Sequence, residues 1–260
     1  MTPSFDLSIV IPAFNEETRL APTIRDTVEY CRAHARRVEI IVVDDGSLDG
    51  TSELVHRLGA AADEVRLIRL AANRGKGYAV RTGVVNARGR LILFADADGA
   101  TPIAELERLE AALDAGADVA IGSRALHGSG VRIDAKIYRR LMGRLFHQLV
   151  RVFTVKGIQD TQCGFKLFRA DVGHDLFSRM RMNGFSFDVE VLLMAQRQGY
   201  RITEVPVNWT HQPGSKVNLV LDSLRMARDL FIIRARALRG DYNEPHLASL
   251  ARAAASTPSR

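Results

Sequence analysis

Short strand-like runs alternate with longer amphipathic segments over the first half of this chain, and this alternation constrains the fold more than any other feature. The runs are residues 7–11, 38–43, 65–70, 91–95 and 118–121, and each has the length of a strand in a buried sheet. Helical periodicity occupies the intervals between them, so that a helix connects each strand to the next. The sequence therefore predicts an α/β fold with a Rossmann-like, mostly parallel central sheet flanked by helices.

The second half of the chain continues with less regular spacing. We predict a single domain over residues 1–240 and a flexible tail over 241–260, because the tail is rich in Ala, Ser and Pro. The other predicted elements are a strand near 165–168, helices near 171–181 and 187–198, an extended segment over 200–209, and a last amphipathic helix over 216–238.

Acidic residues follow three of the predicted strands at the point where each strand ends. They are Glu16, Asp44, Asp45, Asp96 and Asp98. The carboxyl ends of parallel strands meet at one edge of a sheet, and paired carboxylates there offer hard oxygen ligands to Mg²⁺ or Mn²⁺, which a diphosphate can complete. Taken singly, carboxylates in such a pattern more often cap a helix or form a turn than bind a metal.

Cationic side chains lie in loops that the same pattern brings to this edge: Lys76, Arg124 and Lys216. A departing diphosphate needs a divalent cation held by carboxylates, with Lys or Arg on its other oxygens. The joint placement therefore predicts a nucleotide-diphosphate site. The glycines around Lys76 have neither dinucleotide-fingerprint nor P-loop spacing, and a Gly-x-Ser-x-Gly elbow is absent.

Residues 132–156 have a helical pattern that is basic on one side and apolar on most of the other. Seven basic residues, Arg139, Arg140 and Arg144 among them, fall within an arc of roughly 140° at 100° per residue. Two interpretations fit: a core-facing helix with a solvated basic face, which periodicity alone favours, or a helix lying in an anionic membrane interface. The predicted helix 216–238 leaves the same two interpretations open.

The net charge of +6 and the pI of about 9.7 indicate affinity for polyanions, a class that includes nucleic acid, anionic membrane surfaces and phosphorylated substrates. Two cysteines are too few for a disulfide framework and are typical of a reducing compartment. The sequence has no apolar run of about 18 residues and no basic N-terminal segment followed by an apolar one. It thus predicts neither a membrane-spanning helix nor a secretory signal.

Several longer motifs, in order, resemble those of the inverting family 2 glycosyltransferases with the A-type fold. They are IVIPAFNE at 9–16, IVVDDGSLDGT at 41–51, NRGKG at 73–77, ADADGAT at 95–101 and GSR at 122–124. Three further motifs look like the dolichyl-phosphate β-glucosyltransferase branch of that family: DTQCGFKLF at 160–168, FDVE at 187–190 and VNW at 207–209. The resemblance covers about residues 6–238.

The resemblance implies roles for residues at the donor end of the site. The nucleotide-sugar site would contain Asp96, with Asp98 on the metal and Lys216 on the diphosphate. Related mannosyl enzymes carry Gln where this chain has Ala100, so Thr101, water or substrate would supply that metal ligand. The residues assigned to the nucleotide-sugar site are Pro12, Phe14, Glu16, Asp44, Asp45, Lys76, Asp96 and Lys216.

The resemblance also implies an acceptor site, in which Arg124 and one of Arg139 or Arg140 receive a lipid phosphate. The predicted catalytic residues are then Asp96, Asp98, Arg124 and Arg139. Because such an acceptor is embedded in a lipid bilayer, the resemblance favours the interpretation that the helix 132–156 lies in an anionic membrane interface.

The function implied is a metal-dependent, inverting transfer of glucose from UDP-glucose to a polyprenyl (dolichyl or undecaprenyl) phosphate, by an enzyme peripheral on the cytoplasmic face of a membrane. The alternative within the class is mannose transfer from GDP-mannose. A noncatalytic scaffold is disfavoured because Asp96 and Asp98 are both present. A nucleic-acid binder is disfavoured because no aromatic residues interleave with the basic ones.

Overall fold

A computed structural model describes residues 4–126, 132–134, 155–212 and 219–242, and its main feature is a seven-stranded sheet with helices on both faces. The strands are β1 (Phe5–Ala13), β2 (Val38–Asp44), β3 (Val65–Arg69), β4 (Gly89–Ala95), β5 (Val119–Ser123), β6 (Ile133–Asp134), β7 (Phe165–Arg169), β8 (Ile202–Pro206) and β9 (Trp209–Thr210). The helices are α1 (Leu20–Ala33), α2 (Thr51–Ala61), α3 (Lys76–Val85), α4 (Leu106–Asp114, after a 3₁₀ turn at Ile103–Glu105), α5 (Ala170–Arg179), α6 (Phe187–Arg197) and α7 (Leu219–Arg239).

The strand order in the large sheet is β3-β2-β1-β4-β7-β5-β8, and the predicted mostly parallel sheet is confirmed. Strand β7 is the exception, because it runs antiparallel to both β4 and β5. The backbone just before β7 already lies at the carboxyl edge of the sheet, where the Gly164 carbonyl accepts a hydrogen bond from the Asp96 N–H at 2.9 Å. A strand that enters from this edge can only run back towards the opposite one.

Two hydrophobic cores hold the sheet between its helices. The first packs α1, α2 and α4 against one face, and the second packs α3, α5, α6 and α7 against the other. Strand β4 contributes to both, since Leu91 and Leu93 point to the first core and Ile92 and Phe94 to the second. Burial on both faces explains why this strand is a continuous apolar run, and it carries the residue after it, Asp96, to the carboxyl edge.

The structure contradicts the predicted helix 132–156 at both of its ends. Ile133–Asp134 form β6, which pairs in parallel with Trp209–Thr210 of β9, and Val155 lies in no helix. The pairing of β6 with β9 engages backbone N–H and C=O groups that would otherwise form hydrogen bonds within a helix. The middle of the segment, residues 135–154, lies outside the described residues.

The C-terminal elements also differ from prediction at their boundaries. Helix α7 ends at Arg239, and the predicted start of this helix at 216 lies outside the described residues. The predicted flexible tail from 241 begins too early, because Tyr242 is only 2% exposed and its hydroxyl donates to Glu190 Oε1 at 2.7 Å. Residues 243–260 lie outside the described residues.

Candidate active site

Asp96 lies directly after β4 at the carboxyl edge of the sheet, and 34% of its side chain is exposed. The Lys76 Nζ lies 2.7 Å from Asp96 Oδ1 and forms an ion pair with it. Lys76 is also the first residue of α3, and a helix N-terminus carries a partial positive charge of its own. Two residues predicted for the nucleotide-sugar site are therefore in direct contact, and their surroundings favour an anion near the ammonium group.

Asp98 lies two residues further on, where its Oδ1 accepts a hydrogen bond from the Ala100 N–H at 3.1 Å. Burial raises the pKa of Asp98, and the nearby negative charge of Asp96 raises it further. A cation close to Asp98 would favour the charged form of this carboxylate. Carboxylate oxygens fit Mg²⁺ or Mn²⁺, which prefer hard ligands.

The described part of the chain offers this cation few ligands. Within it, no three His, Cys, Asp or Glu side chains converge on one point. A metal at Asp98 would therefore need ligands from the substrate or from water, as diphosphate-bound Mg²⁺ commonly has.

Gly164 lies against the Asp96 carboxylate more closely than any other residue type allows. A Cβ atom added at Gly164 would come within 1.9 Å of Asp96 Oδ2 and 2.5 Å of its Oδ1. Only glycine leaves room for the carboxylate in its present position. This is the glycine of the DTQCG motif, whose role the sequence alone did not indicate.

The acidic residues that follow β1 and β2 support loops of the site. Glu16 pairs with Arg19, and its backbone N–H donates to Thr51 Oγ1 at 2.8 Å. Asp44 is fully buried, and its Oδ1 accepts a hydrogen bond from the Ser47 N–H at 2.8 Å. Both residues lie at the predicted edge of the sheet, where their hydrogen bonds hold the loops that follow β1 and β2. The predicted pocket residues Pro12 (buried) and Phe14 (half-buried) flank them.

Asp45 connects the end of β2 to the loop that carries Lys76. Its two carboxylate oxygens accept hydrogen bonds from the backbone N–H groups of Arg74 and Gly75, both at 2.8 Å. Burial raises the pKa of Asp45, while these two hydrogen bonds lower it. Because Gly75 immediately precedes Lys76, Asp45 fixes the backbone from which the ammonium group extends.

Arg124 follows β5 and forms a two-point ion pair with Asp160, a partner that sequence reasoning did not assign. Nε donates to Asp160 Oδ2 at 2.7 Å and Nη2 donates to Oδ1 at 2.8 Å. The guanidinium also lies over the Trp209 ring, with Cζ 5.6 Å from its centroid. Asp160 is 1% exposed, and its own N–H donates to Glu204 Oε1 at 2.7 Å. The predicted acceptor arginine is thus held in one orientation.

A second pair missed at the sequence level lies beneath Lys76. Lys166 of β7 and Asp188 of α6 are 1% and 4% exposed, and Nζ lies 2.6 Å from Asp188 Oδ1. Both residues belong to motifs that carry the family resemblance, DTQCGFKLF and FDVE, so the signal was present without an assigned role.

Three predicted site residues, Lys216, Arg139 and Arg140, lie outside the described residues. Within residues 4–126, 155–212 and 219–242, no helix combines the length and the apolar character needed to cross a bilayer.

Comparison with known proteins identifies relatives over most of the chain. The sequence model described as "Glycosyl transferase family 2" matches residues 8–177. Dolichyl-phosphate beta-glucosyltransferase of Drosophila melanogaster is 40% identical over 254 residues, which is 93% of this chain and 78% of the relative. The enzyme of the same name from Homo sapiens has the same identity and coverage, and that of Saccharomyces cerevisiae is 38% identical over 92% of this chain and 77% of the relative.

Solved structures share the fold at lower sequence identity. Mannosyl-3-phosphoglycerate synthase from Rubrobacter xylanophilus has a TM-score of 0.67 at 19% identity, over 94% of this chain and 77% of that one. Glucosyl-3-phosphoglycerate synthase from Mycobacterium tuberculosis, in complex with Mn²⁺ and UDP-glucose, has a TM-score of 0.61 at 19% identity, over 94% and 81% of the two chains. These similarities confirm the predicted A-type glycosyltransferase fold.

Proposed function

Because the chain belongs to glycosyl transferase family 2, we propose that it transfers glucose from UDP-glucose to a polyprenyl phosphate and forms a β-linked lipid-phosphate sugar. The observation that carries the proposal is the contact between Lys76 and Asp96 beside Asp98, since it combines an ammonium group for a diphosphate with carboxylates for a cation. The names of the relatives with 38–40% identity support the glucosyl donor and the lipid-phosphate acceptor.

The donor diphosphate would lie at the carboxyl edge of the sheet, against Lys76. The ammonium group would then neutralise charge that develops on the nucleoside diphosphate as it leaves. Lys216 would be a further diphosphate ligand, and Pro12 and Phe14 would contact the nucleoside. A divalent cation at Asp98, Mg²⁺ or Mn²⁺, would supply additional positive charge when bound. The Mn²⁺ and UDP-glucose in the complex of the structural relative support this choice.

The reaction would be a single displacement at the anomeric carbon. An oxygen of the acceptor phosphate forms the new bond to C1, and the bond from C1 to the diphosphate breaks, so that an α-linked donor gives a β-linked product. A phosphate monoester has a second pKa near 6 and is mostly a dianion at neutral pH. No proton has to be removed from the nucleophile, and the chain's task is to bring two anions together in line.

Arg124 is our candidate for binding the acceptor phosphate, together with Arg139 or Arg140. Its two-point pair with Asp160 holds the guanidinium at a fixed angle beside Trp209, which prepares it for a second anion at low entropic cost. Asp160 and Glu204 would thus position Arg124 without contacting the substrate.

The outer face of α7 provides a surface on which a lipid acceptor could be presented. Leu224, Phe231 and Leu238 are spaced by seven residues, so they lie along one side of the helix, and they are 65%, 63% and 71% exposed. Exposed arginines flank this stripe: Arg225, Arg228, Arg234 and Arg239. An apolar stripe with basic borders fits an anionic lipid surface, where long cationic side chains reach the headgroups. The position on the cytoplasmic face stays a prediction.

The test is transfer of radiolabelled sugar into an organic-extractable lipid. Polyprenyl phosphate in detergent or vesicles would be incubated with UDP-glucose or GDP-mannose, and with Mg²⁺, Mn²⁺ or EDTA. We expect label in the lipid from UDP-glucose, lost with EDTA and with Asp98→Asn. Label from GDP-mannose alone would replace the donor assignment by its alternative, and an unlabelled lipid with both donors would overturn the proposed acceptor.

A further inference from the structure

The ion pair of Lys166 with Asp188 lies close to Lys76, the lysine that we propose contacts the diphosphate of the donor. Lys166 Nζ donates to Asp188 Oδ1 at 2.6 Å and to the Cys163 carbonyl oxygen at 2.6 Å. Strands β4 and β7 place Lys166 opposite Phe94, so that its side chain lies on the same face of the sheet as α3 and α6. The ammonium groups of Lys76 and Lys166 lie 5.3 Å and 5.6 Å from the centroid of the Phe94 ring.

Two ion pairs therefore lie beside the Phe94 ring. Lys166 pairs with Asp188 in the interior, and Lys76 pairs with Asp96 at the surface. Burial disfavours the charge on Lys76, but the negative charges of Asp96 and Asp188 outweigh burial and raise its pKa. Lys76 is thus attracted by Asp96 and Asp98 at the surface and by Asp188 in the interior.

A lysine whose carboxylate partners all lie on one side is drawn towards that side. Without Asp188, Lys76 would be attracted only by Asp96 and Asp98 at the surface, and its ammonium group would follow those carboxylates when a cation or a sugar nucleotide moves them. An ammonium group has three N–H donors, so a carboxylate behind it restrains it and still leaves a donor for a phosphate oxygen. Burial raises the pKa of Asp188, and the positive charges of Lys166 and Lys76 oppose that increase.

We propose that Asp188, supported by Lys166, is a positioning residue that holds Lys76 at the diphosphate of the donor. This inference rests on the proposed function, because it assumes that Lys76 binds a nucleoside diphosphate. A purely structural role, in which the pair joins α6 to β7, is the rival explanation.

Two variants separate these roles. Asp188→Asn removes the charge that attracts Lys76 but leaves Lys166 buried without its partner, so stability falls as well. The double variant D188N/K166M removes both charges, so that no buried charge is left unpaired, and it should be more stable than Asp188→Asn alone. Glu39→Gln is the matched control: Glu39 is 2% exposed and pairs with Arg66 and Arg88 at the amino ends of the strands, away from the site.

The measurement is calorimetric binding of UDP, GDP and uridine in the presence of Mn²⁺, beside thermal unfolding of each variant. We expect D188N/K166M to unfold at a higher temperature than Asp188→Asn, to bind the diphosphate about tenfold more weakly than the wild-type chain does, and to bind uridine unchanged. Glu39→Gln should lose stability and keep its UDP affinity. Wild-type UDP affinity in the double variant would overturn the positioning role. If the wild-type chain bound neither UDP nor GDP, the proposed function itself would fail.

Discussion

At the scale of single residues, the position of the Asp96 carboxylate depends on Gly164, because a glycine has no Cβ atom. We expect Gly164→Ala to displace Asp96, because the added Cβ would lie 1.9 Å from its Oδ2. A shift of about 1 Å at a reacting site can cost roughly 100-fold in rate, so kcat should fall by about that factor. Steady-state transfer assays measure it.

The matched control for this prediction is Gly184→Ala. A Cβ at Gly184 would meet no atom within 4 Å. This variant should keep the wild-type kcat. Equal activity of the two variants would show that Asp96 tolerates displacement.

The sequence predicted which residues lie at the carboxyl edge of the sheet better than it predicted what they contact. Lys76, Asp96 and Arg124 were predictable because each follows a strand or begins a helix, which are local features. The partners of Arg124 and Lys166 lie 36 and 22 residues away along the chain, and only the packing of β5, β7 and α6 brings them together. The burial of Asp44 could not be predicted from the sequence either, because an Asp-Asp pattern occurs both in exposed binding sites and in buried turns.

At the scale of secondary structure elements, α7 has an inner face in the core and an exposed outer face, which we propose contacts a lipid surface. We expect the triple variant L224S/F231S/L238S to lose binding to vesicles that contain anionic lipid, as measured by sedimentation. Its fold should persist, because Leu230, Ile233 and Ala237 on the inner face are untouched.

Leu48 and Val85 serve as controls for this prediction. They are 93% and 46% exposed but lie outside α7, so L48S/V85S should bind vesicles as the wild-type chain does. Unchanged vesicle binding by the triple variant would contradict the proposal that α7 contacts a membrane surface.

Helical periodicity predicted α7 well and the ends of 132–156 badly, and the difference has a physical cause. A long amphipathic helix depends on contacts three and four residues apart, which the sequence displays directly. The two-residue strand β6 depends on pairing with Trp209–Thr210, more than seventy residues later. Periodicity contains no information about such a distant partner.

At the scale of the whole molecule, the sheet separates stabilising charges from charges proposed to act on substrate. At the amino ends of the strands, Ser8, Arg66 and Arg88 satisfy the buried Glu39 carboxylate within the protein. At the carboxyl ends, Asp96 and Asp98 remain partly exposed, and the pKa of Asp98 is raised by burial and by Asp96. A ligand that relieves this repulsion should therefore stabilise the entire fold.

We expect UDP with Mn²⁺ to raise the unfolding temperature of the whole chain. Saturation at 100 times the dissociation constant contributes about 2.7 kcal/mol to the free energy of unfolding, which corresponds to roughly 5–10 °C for a domain of this size. Asp98→Asn should lose the part of this increase that requires Mn²⁺, because the cation and the diphosphate are expected to bind there together. Thermal scans with UDP, GDP and each metal measure the effect without any lipid. A larger increase with GDP than with UDP would contradict the proposed donor, and an increase unaffected by Asp98→Asn would contradict the proposed metal ligand.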